Sequence, residues 1–290
     1  EIAPRKFIEI IGGKSRPKYS IGSGRLELAK SVVDERNPLT SRVIVNRIWG
    51  WHFGNGLVRT PSNFGVIGEA PTHSQLLDWL SYKFINEGWS LKSLHKQIMM
   101  SATWQQSSLF DQKKFDVDGD NKFLWRFQPK KLEVESWRDS LLSVTGELDL
   151  KFGGSPDGEI VNSKRRTIYA TISRTGDKFK SDNFLRLFDF PAAVSTSPKR
   201  ANSTVPQQYL FMLNSDFMNQ RAAALGKSLF ESETEKAHTI TKAYEKLYSR
   251  FPDAREIQLA QDWLGNKPNI NRLNQYAQVL LSAHEMIQLK

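Results

Sequence analysis

Two arginines and two histidines lie close together in this sequence: Arg47, His52, Arg59 and His73. A guanidinium presents a planar fork of donors and an imidazole adds a titratable one, so these four groups converging on one spot would suit an anionic group. They flank or occupy residues 54–71, a connection with almost no periodicity between two helical stretches. Structureless connections beyond about 12–15 residues are uncommon in compact domains and are usually functional or disordered. Leu57, Val58, Phe64, Val66 and Ile67 can pin this one to a core, and Gly54, Gly56, Gly65 and Gly68 allow tight turns. His73 falls in the first turn of the following helix, whose free N–H groups attract anions. The competing reading is structural: Arg47 and Arg59 satisfy loop carbonyls and hold an Ω-loop in shape, the commoner task of arginines in long loops.

A second arrangement is acidic. Asp116, Asp118 and Asp120 occupy the first, third and fifth positions of a calcium loop, with Phe123 at the apolar eighth. Asn121 stands at the sixth position in place of Gly, and Phe127 at the twelfth in place of the bidentate Glu, so a solvated acidic turn competes with calcium. Lys130, Lys131, Glu133, Glu135, Arg138 and Asp139 form a charged face on the next helix, expected to be solvated and joined by weak ion pairs.

Other chemistries lack their motifs. There is no phosphate loop, no G-x-G-x-x-G and no nucleophile elbow. The five histidines have no short metal-ligand spacing, and carboxylate pairs for glycoside hydrolysis would have to come from distant positions. The chain has no cysteine, which excludes disulfides, Cys-ligated zinc, iron–sulfur clusters, thiol catalysis and haem attached within it. Apart from the calcium-like turn, it carries no cofactor motif. The net charge of +10 points to an anionic partner or simply to excess surface Lys, and the one dense basic run, Lys164-Arg165-Arg166, is too short for a nucleic-acid arm. No run approaches the about 20 apolar residues of a membrane span.

The elements that must position these groups are mainly helical. Asn37 caps and Pro38 opens a helix carrying Val45, Ile48, Trp49 and Phe53, apolar around much of its girth and so expected to be central. Thr72 and Gln75 read as a capping box before a helix with Leu76, Leu77, Leu80 and Phe84, and Trp79 near its apolar stripe. Ser90 starts the helix that pairs with it. Residues 105–130 read as a polar connection and 132–148 as a long helix. Thr167–Ser173 alternates, with Ile168 and Ile172 on one face, and is the clearest strand. Pro206 opens a long helix through Leu229, and two further capping boxes follow, Ser232 with Glu235 and Asp253 with Glu256. The fold expected is mainly α, a multi-helix globular domain with one small β element near residues 164–174. The expected divisions are an extended lead-in segment over 1–24, an N-terminal helical lobe over 25–152 and a C-terminal helical lobe over 153–290, with the boundary in the Gly153–Gly158 loop. Opening on Glu1 without a signal-peptide pattern, the chain reads as a piece of a longer protein.

Several strings together carry a resemblance. They include Asn37-Pro38-Leu39-Thr40-Ser41-Arg42-Val43, Asn46-Arg47-Ile48-Trp49, His52-Phe53-Gly54-Asn55-Gly56-Leu57-Val58, Thr60-Pro61-Ser62-Asn63-Phe64-Gly65, Arg138-Asp139-Ser140-Leu141-Leu142 and Pro206-Gln207-Gln208. The chain resembles the planctomycete domain-of-unknown-function family fifteen fifty-three. It departs from that pattern at Ala192-Ala193, where an acidic residue is expected, and at Tyr209, which replaces a small one. The resemblance implies the C-terminal part of an exported, extracytoplasmic protein, with upstream domains of the same chain, often a c-type cytochrome, as partners. It supplies no catalytic residues. The reading that follows is a helical module binding a partner domain or a polymer, with an anionic polymer suggested by charge; the alternative is an enzyme domain acting on a glycan or coupled to the cytochrome. Export weighs against nucleic acid.

Overall fold

The computed structural model describes residues 3–175, 178–231, 236–265 and 268–289, which form thirteen α-helices and one two-stranded sheet. The chain divides into two compact units that meet at Pro129 and Lys130. The Gly153–Gly158 loop, where the sequence placed the division, lies inside the second unit. The chain changes unit earlier because Val134, Trp137 and Leu141, just after Lys131, are committed to the second core.

The first unit holds α1 (Glu9–Gly12), α2 (Arg25–Val32), α3 (Pro38–Phe53), α4 (Ser74–Asn86), α5 (Leu91–Met99) and α6 (Gln112–Val117). The Asn37 side chain accepts the Leu39 N–H and Pro38 takes the first helical position, as the sequence requires. Val45, Ile48, Trp49 and Phe53 of α3 pack with Leu77, Leu80 and Phe84 of α4 and Leu94 and Ile98 of α5. Ser90 caps α5 by accepting the Ser93 N–H. The Thr72–Gln75 capping box does not form: α4 starts at Ser74, and the Thr72 hydroxyl donates instead to Leu57 O at 3.3 Å. Trp79 is exposed rather than in the stripe, and the polar connection contains α6. Neither α1 nor α2 buries a residue.

The second unit runs through β1 (Lys130–Lys131), α7 (Val134–Val144), α8 (Lys180–Leu187), α9 (Pro206–Asn214), α10 (Asp216–Phe230), α11 (Lys236–Tyr248), α12 (Ala254–Leu264), α13 (Ile270–Leu281) and β2 (Gln288–Leu289). β1 pairs antiparallel with β2, Lys130 opposite Leu289 and Lys131 opposite Gln288. The expected strand is therefore misplaced: Thr167–Tyr169 is a 3-10 turn, and only isolated bridges touch Arg165 and Ala170. Side chains hold this segment instead of a ladder. Asp139 Oδ1 accepts both the N–H and the hydroxyl of Thr167, at 2.8 and 2.6 Å, and Ile168 is left exposed.

The charged face expected on α7 is likewise not uniformly solvated. Arg138 has no exposed surface and donates to the carbonyls of Ile160, Ser163 and Arg165 and to the Thr167 hydroxyl. Burial lowers its pKa to about 10, with Arg221 adding to the effect and Asp139 and Asp157 opposing it.

The single helix expected from Pro206 to Leu229 is two. Ser215 is extended and caps α10 by accepting the Met218 N–H. Asp253 and Glu256 form their reciprocal box at 2.8 Å each way, whereas Ser232 and Glu235 lie outside the described residues. α10 lies close against α13 at Gly226, where a Cβ would fall 2.2 Å from Asn274 Oδ1 and 2.9 Å from its backbone nitrogen. Gly226→Ala should therefore destabilise the protein by about 1–3 kcal/mol, the usual cost of overpacking, read by urea unfolding. An unchanged midpoint would mean that the two helices separate freely there. No helix among the described residues is long and apolar enough to cross a membrane.

Candidate functional site

The 54–72 connection is a folded loop with its own polar framework. Asn46, buried on α3, brackets Val58: its Oδ1 accepts the Val58 N–H at 2.7 Å, and its Nδ2 donates to Val58 O at 3.0 Å. Glycine is needed opposite it, since a Cβ on Gly56 would sit 2.6 Å from the Asn46 amide. Thr72 closes the base through its N–H to Leu57 O at 2.9 Å. Nearer the tip, Thr60 donates to Asn63 O and accepts the Glu69 N–H, while Asn63 Oδ1 accepts the Gly65 N–H. Leu57 and Val58 enter the core and Phe64 packs against it. Val66 and Ile67, which the sequence assigned to the core, are instead fully exposed at the tip.

Beside this loop lies a cavity of about 270 Å³. Trp49 and Phe53, stacked at 4.3 Å between centroids, form part of its wall. Asn55, Arg59 and Thr72 line it from the loop, and Asp120, Asn121, Lys122 and Gln128 from the segment after α6. Arg59 ties the two sides, its Nη2 donating to Asp120 O at 2.9 Å. A guanidinium has five N–H donors, so Arg59 keeps capacity for a further partner. Lys122 Nζ stands 3.6 Å from Asp120, the one carboxylate in the lining. The chemistry is that of recognition: two cations, amides and a hydroxyl around a small polar space.

The four residues grouped from the sequence do not converge. Arg59 lines the cavity, while Arg47 is exposed on α3 and lines no part of it. His52 Nε2 faces His95 Nδ1 at 2.8 Å. His73 is the N-cap of α4 rather than part of its first turn; its Nδ1 lies 3.0 Å from the Thr72 hydroxyl and its ring stands edge-on to Phe123. The acidic triplet does not gather either. Asp116 lies on α6 and accepts from Gln112, Asp118 accepts the N–H groups of Lys122 and Phe123 at 2.8 Å each, and Asp120 faces Lys122. Among the described residues, no group of three His, Cys, Asp or Glu side chains is placed to hold a metal ion. Lys122, Asn121 and Gln128 were missed as lining residues. Only their position after the acidic turn hinted at them, because what brings them to the 54–72 loop is a tertiary contact.

The second unit has a polar cluster of a different kind. Lys131 donates to Ser203 O and Gln208 Oε1, and Ser203 donates both its N–H and its hydroxyl to Asp189. Burial pushes the Asp189 carboxyl up, but the Ser203 hydrogen bonds, the nearby Lys131 charge and Gln208 outweigh it and hold the pKa below the usual value. Arg200 forks onto Glu135 at 2.6 and 2.7 Å. These groups satisfy one another and tie the 189–205 segment to β1, α7 and α9.

The chain belongs to the family described as protein of unknown function DUF1553, whose sequence model matches residues 24–264. The matched span takes in the 54–72 loop, every residue named in the cavity wall and the Arg138 anchor. No curated protein and no solved structure matches the chain.

Proposed function

We propose, taking membership of that family as the premise, that the chain is a binding module whose first-unit cavity takes an acidic, hydroxyl-rich unit of a polymer. The observation that carries this is the composition of the cavity wall. Arg59 and Lys122 supply positive charge, and Asn55, Thr72, Asn121 and Gln128 supply the amide and hydroxyl partners that orient a polyhydroxylated group. Acid–base cleavage of a glycoside calls for two carboxyl groups flanking the bond. Asp120 is the one carboxylate in this wall, and it faces Lys122. Outside the cytoplasm, where the family resemblance would put it, an acidic polysaccharide is the polymer of this chemistry, and the net charge of +10 favours its approach.

The test is calorimetric titration with oligogalacturonate, using a neutral oligosaccharide of equal length as the control. Loss of a charge-assisted hydrogen bond of about 1.5–3 kcal/mol corresponds to affinity about 10- to 100-fold weaker in Arg59→Ala. Stability should fall by only about 0.5–1.5 kcal/mol, the worth of the bond to Asp120 O. Equal affinity for the neutral and acidic sugars, or an unchanged Arg59→Ala isotherm, would overturn the reading. A large stability loss with no ligand bound by the parent chain would return Arg59 to a purely structural task.

A further inference from the structure

We propose that His52 and His95 are the protein ligands of a site for a first-row divalent cation of the imidazole-preferring class, Cu2+ ahead of Zn2+. The site is distinct from the cavity and does not depend on the binding reading above. His52 Nε2 and His95 Nδ1 face each other at 2.8 Å, with the rings inclined at 66° and their centroids 5.0 Å apart. The rings are thus not stacked; one nitrogen of each faces the other ring. As a plain hydrogen bond the contact needs one ring to donate and the other to accept. With the tautomers that leave both facing nitrogens bare, two lone pairs are held 2.8 Å apart, and a cation seated beside the line between them can be shared by both.

The spacing suits such an ion. Metal–nitrogen bonds of about 2.0–2.1 Å put adjacent ligand nitrogens about 2.9–3.4 Å apart, within a few tenths of an ångström of the separation found. The backbone on both sides is helical and anchored. His52 lies in the last turn of α3, between the buried Trp49 and Phe53, and His95 follows the buried Leu94 on α5. The nitrogens are therefore brought together by packed helices and not by a loop, which lowers the reorganisation needed to bind.

A second feature points to a missing partner. Trp104 stands edge-on to His52 at 6.2 Å, and its indole N–H is buried without an acceptor. Buried donors normally find acceptors. The cluster thus sets two facing imidazole nitrogens beside an indole whose N–H has no acceptor. With two protein ligands, the ion keeps open positions for water or an incoming ligand. The preference for Cu2+ follows from the stability order of divalent ions with nitrogen ligands.

The test is Cu2+ titration of the full chain followed by electron paramagnetic resonance. One equivalent should bind and show splitting from two imidazole nitrogens. His52→Gln and His95→Gln should each weaken binding about tenfold or more, and the double variant should lose the signal. Bound Cu2+ should also quench tryptophan fluorescence, with a smaller quench in Trp104→Phe although the resonance signal is retained. Absence of a stoichiometric signal in the unaltered chain overturns the proposal, whatever the variants do. So does a signal that persists in the double variant, since that copper would reside elsewhere, as at His73, His238 or His284.

Discussion

Arg138→Ala will lower the unfolding free energy by about 3–5 kcal/mol, the range seen when one member of a buried, hydrogen-bonded charged set is removed. The side chain has no exposed surface, and it donates to three carbonyls. Each stranded buried acceptor costs about 1–3 kcal/mol, and the vacated volume adds a cavity term. The carbonyls belong to residues 160–165, a stretch outside the helices in which Ile160 O also accepts the Ser163 N–H, so the Ser163 and Arg165 carbonyls bear most of the loss. Arg138→Met separates the two contributions: it fills most of the space and removes the buried charge but still strands the acceptors. It should recover part of the loss. Arg138→Lys keeps the charge yet cannot reproduce a fork that reaches Ile160, Ser163 and Arg165 together. Urea unfolding of the three variants gives the order, and a loss below about 1 kcal/mol in Arg138→Ala would show that the loop finds other donors.

Asn46→Ala should cost about 2–4 kcal/mol and remove ligand binding at the cavity as well. It strands both backbone groups of Val58, which is 2% exposed, and each unsatisfied group costs about 1–3 kcal/mol. The loss reaches function because Arg59 follows Val58 directly, so the bracket sets where the guanidinium emerges. Asn46→Asp is the informative partner variant. It keeps an acceptor for the Val58 N–H but turns the donor that served Val58 O into a second acceptor, placing a carboxylate against a carbonyl. Its stability should fall at least as far as that of Asn46→Ala, although it is nearly isosteric. Ordinary stability in Asn46→Asp would mean that the loop is held chiefly by Leu57, Val58 and Phe64 through packing.

The readable parts of this fold are those whose causes are local. The Asn37-Pro38 start, the Ser90 cap and the Asp253–Glu256 box involve groups within four residues of one another, and all three form. Misreadings arise where a distant side chain outbids the local pattern. Thr72 has the sequence of a cap, but Leu57 O takes its hydroxyl. Thr167–Ser173 alternates like a strand, but Asp139 and Arg138 fasten its first residue and leave it no partner strand. Arg138 itself reads as one charge among several on α7, because nothing in the local sequence announces three carbonyls waiting across the core. The site follows the same rule. Arg59 was legible from its long loop, whereas Asn121, Lys122 and Gln128 reach the cavity only through the fold. His52 was singled out but grouped with the wrong neighbours: its partner, His95, stands two helices away in sequence.

The short pairing of β1 with β2 has a mechanical meaning. Lys130 faces Leu289, Lys131 faces Gln288, and the Leu132 N–H donates to Ile287 O at 2.7 Å, so the chain enters and leaves the second unit at the same end of one small ladder. A pull applied between those two points loads the rungs in succession, as in opening a zipper, and never all together as in shearing two strands past each other. The seam would part at low force, one rung at a time. Tension carried along the chain would thus be felt first by a clasp that can reopen and close again, with Ile287 the part of the second core nearest to it.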